Sequence, residues 1–355
     1  MILSHLPHDS LHTMALLNSS WCLIVTPRIW VGFTIKDSTG ADDLYHRVNS
    51  LIRFQSRMRS LRRLTIGPCT WRWTLPLLKA MVYVWRNSTR LSELFLESLG
   101  LFETEKVGDF RALLLTLIEC APSLRLTTFK LEALVSNDSL LRQFLELQPS
   151  IKCLIGIFTD SESSHHFPPS SFLPQLTTLR LRRKCFPTAI ALVPNRPVTE
   201  VWLDTCGEVT KTQFDEGLLA LQQSTTLLTS LSISGYWGRP SGIPPADWVE
   251  YLQTAFPRLQ YLNIPDWPQF PLTESYFHFS ELRALRIRLD PSVNAKHFIA
   301  TLSSMEKLQT LYIKRSNEYV WTRTTRDSSQ PEWCEKDCRK FECPYDHPTR
   351  GLPQA

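Results

Sequence analysis

A six-residue pattern, LxxLxL, recurs about ten times between Leu61 and Ile313. The copies are Leu61-Arg-Arg-Leu64-Thr-Ile66, Leu91-Ser-Glu-Leu94-Phe-Leu96, Leu126-Thr-Thr-Phe129-Lys-Leu131 and Leu176-Thr-Thr-Leu179-Arg-Leu181. They continue with Val198-Thr-Glu-Val201-Trp-Leu203, Leu228-Thr-Ser-Leu231-Ser-Ile233, Leu259-Gln-Tyr-Leu262-Asn-Ile264, Leu282-Arg-Ala-Leu285-Arg-Ile287 and Leu308-Gln-Thr-Leu311-Tyr-Ile313. A weaker copy starts at Ile151 and has Gly156 at its last apolar position; in the third, Leu124 competes with Leu126 as the start. Alternation of apolar and polar residues is the mark of a strand with one buried face, because successive side chains point to opposite sides.

The starts lie 22 to 35 residues apart, which is the leucine-rich-repeat period. Between copies the apolar period lengthens toward 3.6, as in Phe110–Ile118, Ser139–Leu145, Phe214–Leu221, Trp248–Leu252 and His297–Leu302. A strand followed by a helix is therefore predicted for each repeat. Pro122, Pro149, Pro174 and Pro257 each stand two residues before an apolar residue, and proline ends a helix. The fold expected over 43–315 is an α/β leucine-rich-repeat solenoid, a curved parallel sheet with outer helices. A doubly wound α/β domain also alternates strands and helices, but its strands are near-continuous apolar runs.

Composition narrows the function classes. The 355 residues carry 39 basic and 34 acidic side chains, a net charge of +5, too mild to imply nucleic acid. The start MILSHLPHDS lacks a basic end and a continuous apolar run, so no signal peptide is expected. No apolar stretch approaches the ~18 residues a membrane helix needs. The nine cysteines are odd in number and mostly scattered, which suits a reducing cytoplasm or nucleus. P-loop, GxGxxG, GxSxG and HExxH motifs are all missing. No enzymatic activity and no cofactor is expected.

If the apolar positions turn inward, the third and fifth positions of each copy face outward. This places Phe95, Arg180, Trp202, Tyr261, Arg286 and Tyr312, with Arg182 and Arg288 just after the motif, on a candidate partner-binding face. Trp, Tyr and Arg are enriched in binding hot spots, and arginine pairs bidentately with acidic or phosphorylated groups. The structural alternative is that Trp202 packs beneath a loop.

The first thirty residues add a resemblance. They run Ile2-Leu-Ser-His-Leu6-Pro7, then Leu11, Leu16 and Trp21, and close on Pro27-Arg-Ile-Trp30. The I-L-S-x-L-P turn, the small-apolar helix ending in Trp and the final P-x-x-W resemble the F-box, here followed by repeats. The opening LPxE of that family is missing, so the copy is truncated or degenerate. The resemblance implies docking on a Skp-type adaptor subunit of a cullin–RING ubiquitin ligase, through Leu6, Pro7, Leu11, Leu16, Trp21 and Trp30. Those residues serve equally as the apolar cap that a solenoid needs. Three readings follow: a ligase adaptor recruiting a protein substrate, a binding scaffold without ligase contact, and a nucleic-acid binder.

Residues 316–355 are expected to form a flexible tail. It contains Cys334, Cys338, Cys343 and His347, a donor set able to hold zinc, although C-x3-C-x4-C-x3-H departs from the usual C-x2-C pairs. Incidental cysteines in a polar tail are the favoured reading. His165-His166 lies in a Pro- and Ser-rich loop. Arg57, Arg59 and Arg62 are assigned to a solvated face.

Overall fold

The computed structural model describes residues 31–35, 41–53, 55–67, 74–97, 107–132, 138–157, 172–182, 192–206, 211–236, 245–264, 279–288, 298–300, 302, 305–314, 318–324 and 332–337. The F-box-like segment and the His165-His166 loop lie outside them. The chain divides into two compact units, residues 1–181 and 182–355.

In the first unit, strands β1 (Gly32–Ile35), β2 (Arg63–Ile66), β3 (Glu93–Leu96), β4 (Thr128–Leu131), β5 (Cys153–Ile157) and β6 (Thr178–Arg182) follow one another in chain order. Neighbouring strands from β1 to β5 pair in parallel. Helices α1 (Ala41–Arg53), α2 (Gln55–Ser60), α3 (Leu75–Asn87), α4 (Val107–Cys120) and α5 (Asp138–Glu146) connect them. The register stacks equivalent motif positions, Leu64 on Leu94 on Phe129 on Leu154. All four are fully buried. Helix α3 shows how the other layer forms. Pro76 stands in its first turn, where a missing N–H does no harm. Leu77, Leu78, Met81, Val84 and Trp85 then form one buried stripe at helical spacing. Each fully buried side chain of this size contributes about 1.5–3 kcal/mol.

The second unit repeats the scheme. Strands β7 (Glu200–Cys206), β8 (Ser230–Tyr236), β9 (Tyr261–Ile264), β10 (Ala284–Arg288) and β11 (Thr310–Lys314) pair in parallel, with α6 (Lys211–Gln222) and α7 (Pro245–Ala255) between strands. Then the direction reverses. β12 (Glu318–Thr324) pairs antiparallel with β11, and β13 (Glu332–Asp337) antiparallel with β12. The segment expected as a flexible tail therefore contains two strands. Their Tyr319-Val-Trp321 core supplies the β-branched and aromatic residues that favour pairing.

Two backbone devices recur. The N–H of the first motif residue donates to the carbonyl three residues earlier, as in Leu61 to Met58, Leu91 to Ser88, Leu176 to Leu173 and Leu259 to Phe256. The carbonyl at the second motif position accepts two N–H groups from the next repeat: Ser92 from Thr127 and Thr128, and Thr229 from Gln260 and Tyr261. Threonine at that second position adds its hydroxyl. Thr127 Oγ1 donates to the Ser92 carbonyl at 3.2 Å, Thr177 to Lys152 at 3.1 Å and Thr229 to Thr199 at 3.2 Å.

The third repeat resolves its ambiguous start. Leu124 makes the turn bond, to Ala121, but the strand register aligns Leu126 with the other copies. Two extra residues thus separate turn from strand, which leaves the Leu126 N–H without its turn carbonyl. Gln148, buried, fills the gap: its Oε1 accepts from Leu126 N at 3.2 Å and its Nε2 donates to the Ala121 carbonyl at 2.8 Å. A further close fit follows β2. Gly67 holds φ at 141°, and a Cβ there would run into the Glu97 carbonyl oxygen, so only glycine is accommodated.

Candidate functional site

The outward faces of the two units are built differently. In the first, Arg63 Nε is hydrogen-bonded to Glu93 Oε2 on the neighbouring strand, and its guanidinium lies 5.5 Å from the centroid of the Phe95 ring. Lys130 Nζ sits 2.7 Å from Glu97 Oε1 and 3.1 Å from Glu132 Oε1. The Lys130 side chain is only 6% exposed. Burying an ammonium group requires such partners. Arg63, Glu93, Lys130, Glu97 and Glu132 thus satisfy one another, and Arg63 covers the aromatic ring.

In the second unit a continuous row of register partners runs Trp202, Ser232, Asn263, Arg286, Tyr312. The neighbouring row runs Glu200, Ser230, Tyr261, Ala284, Thr310. Trp202 on β7 and Tyr261 on β9 flank β8, which carries Ser230 and Ser232 at the outward positions between them. Small side chains there let the rings meet above the strand. Their centroids are 5.9 Å apart and their planes 18° from parallel, an offset-stack separation. Beneath them Ser230, Ser232 and Asn263 are buried, and Asn263 Nδ2 donates to Ser232 Oγ at 2.7 Å. Asn263 Oδ1 has no hydrogen-bond partner among the described residues.

The expected partner-binding residues thus separate. Trp202, Arg286 and Tyr312 are half-buried and occupy one row of the second unit. Arg180 is half-buried on β6 of the first unit. Arg182 and Arg288 end β6 and β10, and their side chains lie outside the description. Two expectations of exposure are corrected. Phe95 is 5% exposed because Arg63 covers it, and Tyr261 is 2% exposed because it stacks with Trp202. Thr65, Lys130, Ile155, Ser232 and Asn263, also outward by alternation, are buried as well. Residues missed from the sequence are the acids Glu93, Glu97 and Glu132 and the serines of β8. Reading the motif columns downward would have found them, since Arg63 precedes Glu93 in one column and Glu97 precedes Glu132 in another.

The chemistry of the described residues is that of a surface. They contain no cluster of His, Cys, Asp and Glu suited to a metal. Of the proposed zinc donors, Cys334 falls in β13, with its side chain outside the description, and Cys338, Cys343 and His347 lie beyond the described residues. Buried Cys120 is a poor nucleophile: burial pushes its thiol up to about 11, although nearby Arg86 pulls the other way. No described helix is long and apolar enough to cross a membrane. Arg59 and Arg62 are exposed, as a solvated face requires.

No protein-family model matches the chain, and no curated protein matches it in sequence. Among solved structures it is similar to a structural-genomics target protein from Bacteroides fragilis, at 12% identity and a TM-score of 0.31, over 79% of this chain and 68% of that one. A likeness that loose transfers neither function nor site.

Proposed function

We propose that this chain is a leucine-rich-repeat protein that binds a partner on the outward sheet face of its second unit, serving as the substrate-recognition adaptor of a Skp–cullin–F-box-type ubiquitin ligase. The observation that carries the binding face is the Trp202–Tyr261 stack, set beside Arg286 and Tyr312 on contiguous strands. Rigid aromatics with a neighbouring arginine are the composition of a hot spot. The stacked register and the recurring turn support a solenoid frame, in which each repeat contacts its neighbours and the strand face is left for recognition. The adaptor role rests on the F-box resemblance of residues 1–30. In such a complex this chain contributes proximity and the chemistry belongs to other subunits.

Co-expression of the full chain with a Skp-type adaptor tests the role. A stoichiometric complex on gel filtration is expected, and it should be lost when Leu6, Leu11 and Trp21 are changed together to Ala in a variant that keeps its circular-dichroism spectrum. If no complex forms while the second unit still captures a partner, the chain is a scaffold without ligase contact. Both cytoplasm and nucleus suit either role.

A further inference from the structure

We infer that the turn edge of the first unit, where its helices hand over to strands β2 to β5, binds an acidic polypeptide segment whose carboxylates recur about once per strand. This surface belongs to the first unit and does not depend on the binding face proposed above. The repeats that begin at Leu61, Leu91, Leu126 and Ile151 each place one cation directly before or directly after that first apolar residue: Arg62, Arg90, Arg125 and Lys152. The other flanking position is small in each, namely Ser60, Ser92, Thr127 and Ser150. All four cations are exposed, and none has a side-chain hydrogen bond or ion pair among the described residues. Backbone bonds fix their order. Ser92 N donates to the Arg62 carbonyl, Thr127 N to that of Ser92 and Lys152 N to that of Thr127, at 2.9, 2.8 and 2.8 Å.

Folding alone gives no account of this row. Neighbouring strands lie ~4.8 Å apart, inside the ~8 Å over which physiological salt screens charge, so the four cations repel one another. A helix dipole favours a cation in the last helical turn, but these residues lie beyond Ser60, Asn87, Cys120 and Glu146, where the α-helices end. Arg63, Arg86, Lys130 and Arg142 of the same unit each face a carboxylate instead. The second unit shows what an acid does at the equivalent edge. There Glu281 stands directly before Leu282, with Lys307 Nζ 2.6 Å from its Oε1. The bond from Lys307, helped by Arg283 and Arg258, holds the Glu281 carboxyl below its ordinary value. In the first unit no acid flanks the four first residues, and the proposed segment supplies the carboxylates, which arginine grips bidentately. Three features favour polypeptide over nucleic acid. Residues 59–62, 88–92, 121–127 and 147–152 include no aromatic ring on which a base could stack. Pro122, Leu147 and Pro149 are exposed on the same turns and suit apolar side chains of a peptide. Acids one turn apart on a helix recur every ~5.4 Å, close to the strand step.

The test uses the intact chain and a fluorescein-labelled, sixteen-residue, alanine-rich peptide with a glutamate every third or fourth residue, read by fluorescence polarisation. The peptide should bind, and Arg90→Ser with Arg125→Ser should weaken it at least tenfold. Arg90→Lys with Arg125→Lys should stay within about threefold of the parent, since the charge is kept. Lys79→Gln with Arg111→Gln, which removes two exposed cations of α3 and α4, should change binding less than twofold. The serine pair should melt no lower than the parent, because it relieves repulsion. Arg62→Gln with Lys152→Gln reads the same row if the serine pair disturbs folding, which circular dichroism checks. No binding, or equal loss in the serine pair and in the Lys79 and Arg111 pair, would overturn the site. Equal binding of an isomer with its glutamates in one block would overturn the spacing. Tighter binding of a fifteen-residue oligouridylate, lost in the serine pair, would replace the polypeptide by nucleic acid.

Discussion

The two sheet faces start from the same motif and reach opposite surface chemistries. On the first unit, each outward cation of β2 and β4 has a carboxylate on a neighbouring strand or just past a strand end: Arg63 meets Glu93, and Lys130 meets Glu97 and Glu132. On the second, Ser230 and Ser232 of β8 are small, and the space above them is filled by two stacked rings. The first face is closed on itself by ion pairs. The second is closed by a stack whose outer member, Trp202, is half-buried. Position on a strand therefore does not settle accessibility. What stands in the same column of the adjacent repeats does.

The largest break in this comparison is expected at Lys130. Lys130→Ala removes the ammonium group 3.1 Å from the Glu132 carboxylate, whose side chain is 10% exposed. Stability should fall by about 3 kcal/mol, the lower end for a broken buried pair because Glu97 is partly hydrated. Urea unfolding followed by circular dichroism measures it. The triple change Lys130→Met, Glu97→Gln, Glu132→Gln should recover most of the loss. If Lys130→Ala is silent, the first face is not held by its ion pairs and the contrast fails.

A smaller loss tests how the first unit tolerates its irregular repeat. Gln148→Leu orphans the Leu126 N–H and removes a bond to the Ala121 carbonyl, both buried. About 2 kcal/mol should be lost, since a buried group left unsatisfied forfeits its solvation. Amide hydrogen exchange should localise the effect to Leu126. This residue also marks where sequence reading stops. The motif strands, helices α4 to α7 and the prolines beside them were legible, because hydrophobic period is a local signal; β1, β12 and β13 carry no copy of the motif and were not. Leu124 and Leu126 both fitted the pattern, and only the pairing of β4 with β3 decides that the turn uses one and the register the other. The Gln148 bond spans 22 residues, and nothing local announces it. For the site, alternation placed Trp202 and Arg286 at outward positions, where both are half-buried. It misjudged Phe95 and Tyr261, because exposure depends on side chains from neighbouring strands, Arg63 and Trp202.

The polar floor of the second face is the next test. Ser232→Ala removes the acceptor of Asn263 Nδ2 and leaves a buried amide with neither of its ends paired among the described residues, which should cost about 1–2 kcal/mol. Adding Asn263→Leu in that background removes the amide altogether and keeps its approximate shape. Stability should then return to within about 0.5 kcal/mol of the parent, since replacing both partners of a buried hydrogen bond by apolar groups is close to neutral. A double variant as unstable as the single one would mean that Asn263 supports the stack above it, and that the second face is held by polar bonds as the first is.

The smallest effect asks what the two units share. Thr177 in the first and Thr229 in the second occupy the second motif position, and each hydroxyl donates to the carbonyl of the preceding repeat, at 3.1 and 3.2 Å. Val keeps the shape and the β-branch and deletes only the donor. Thr177→Val and Thr229→Val should each cost about 0.5–1 kcal/mol, the net worth of one partly hydrated hydrogen bond. The values should agree, because each carbonyl keeps its two backbone donors and the local geometry is the same in both units. Melting curves of the two variants measured side by side decide this. Equal shifts would assign the difference between the faces to their outward residues alone. A loss in one unit only would mean that the backbone frames also differ, and that the aromatic face depends on a strand geometry the ionic face lacks.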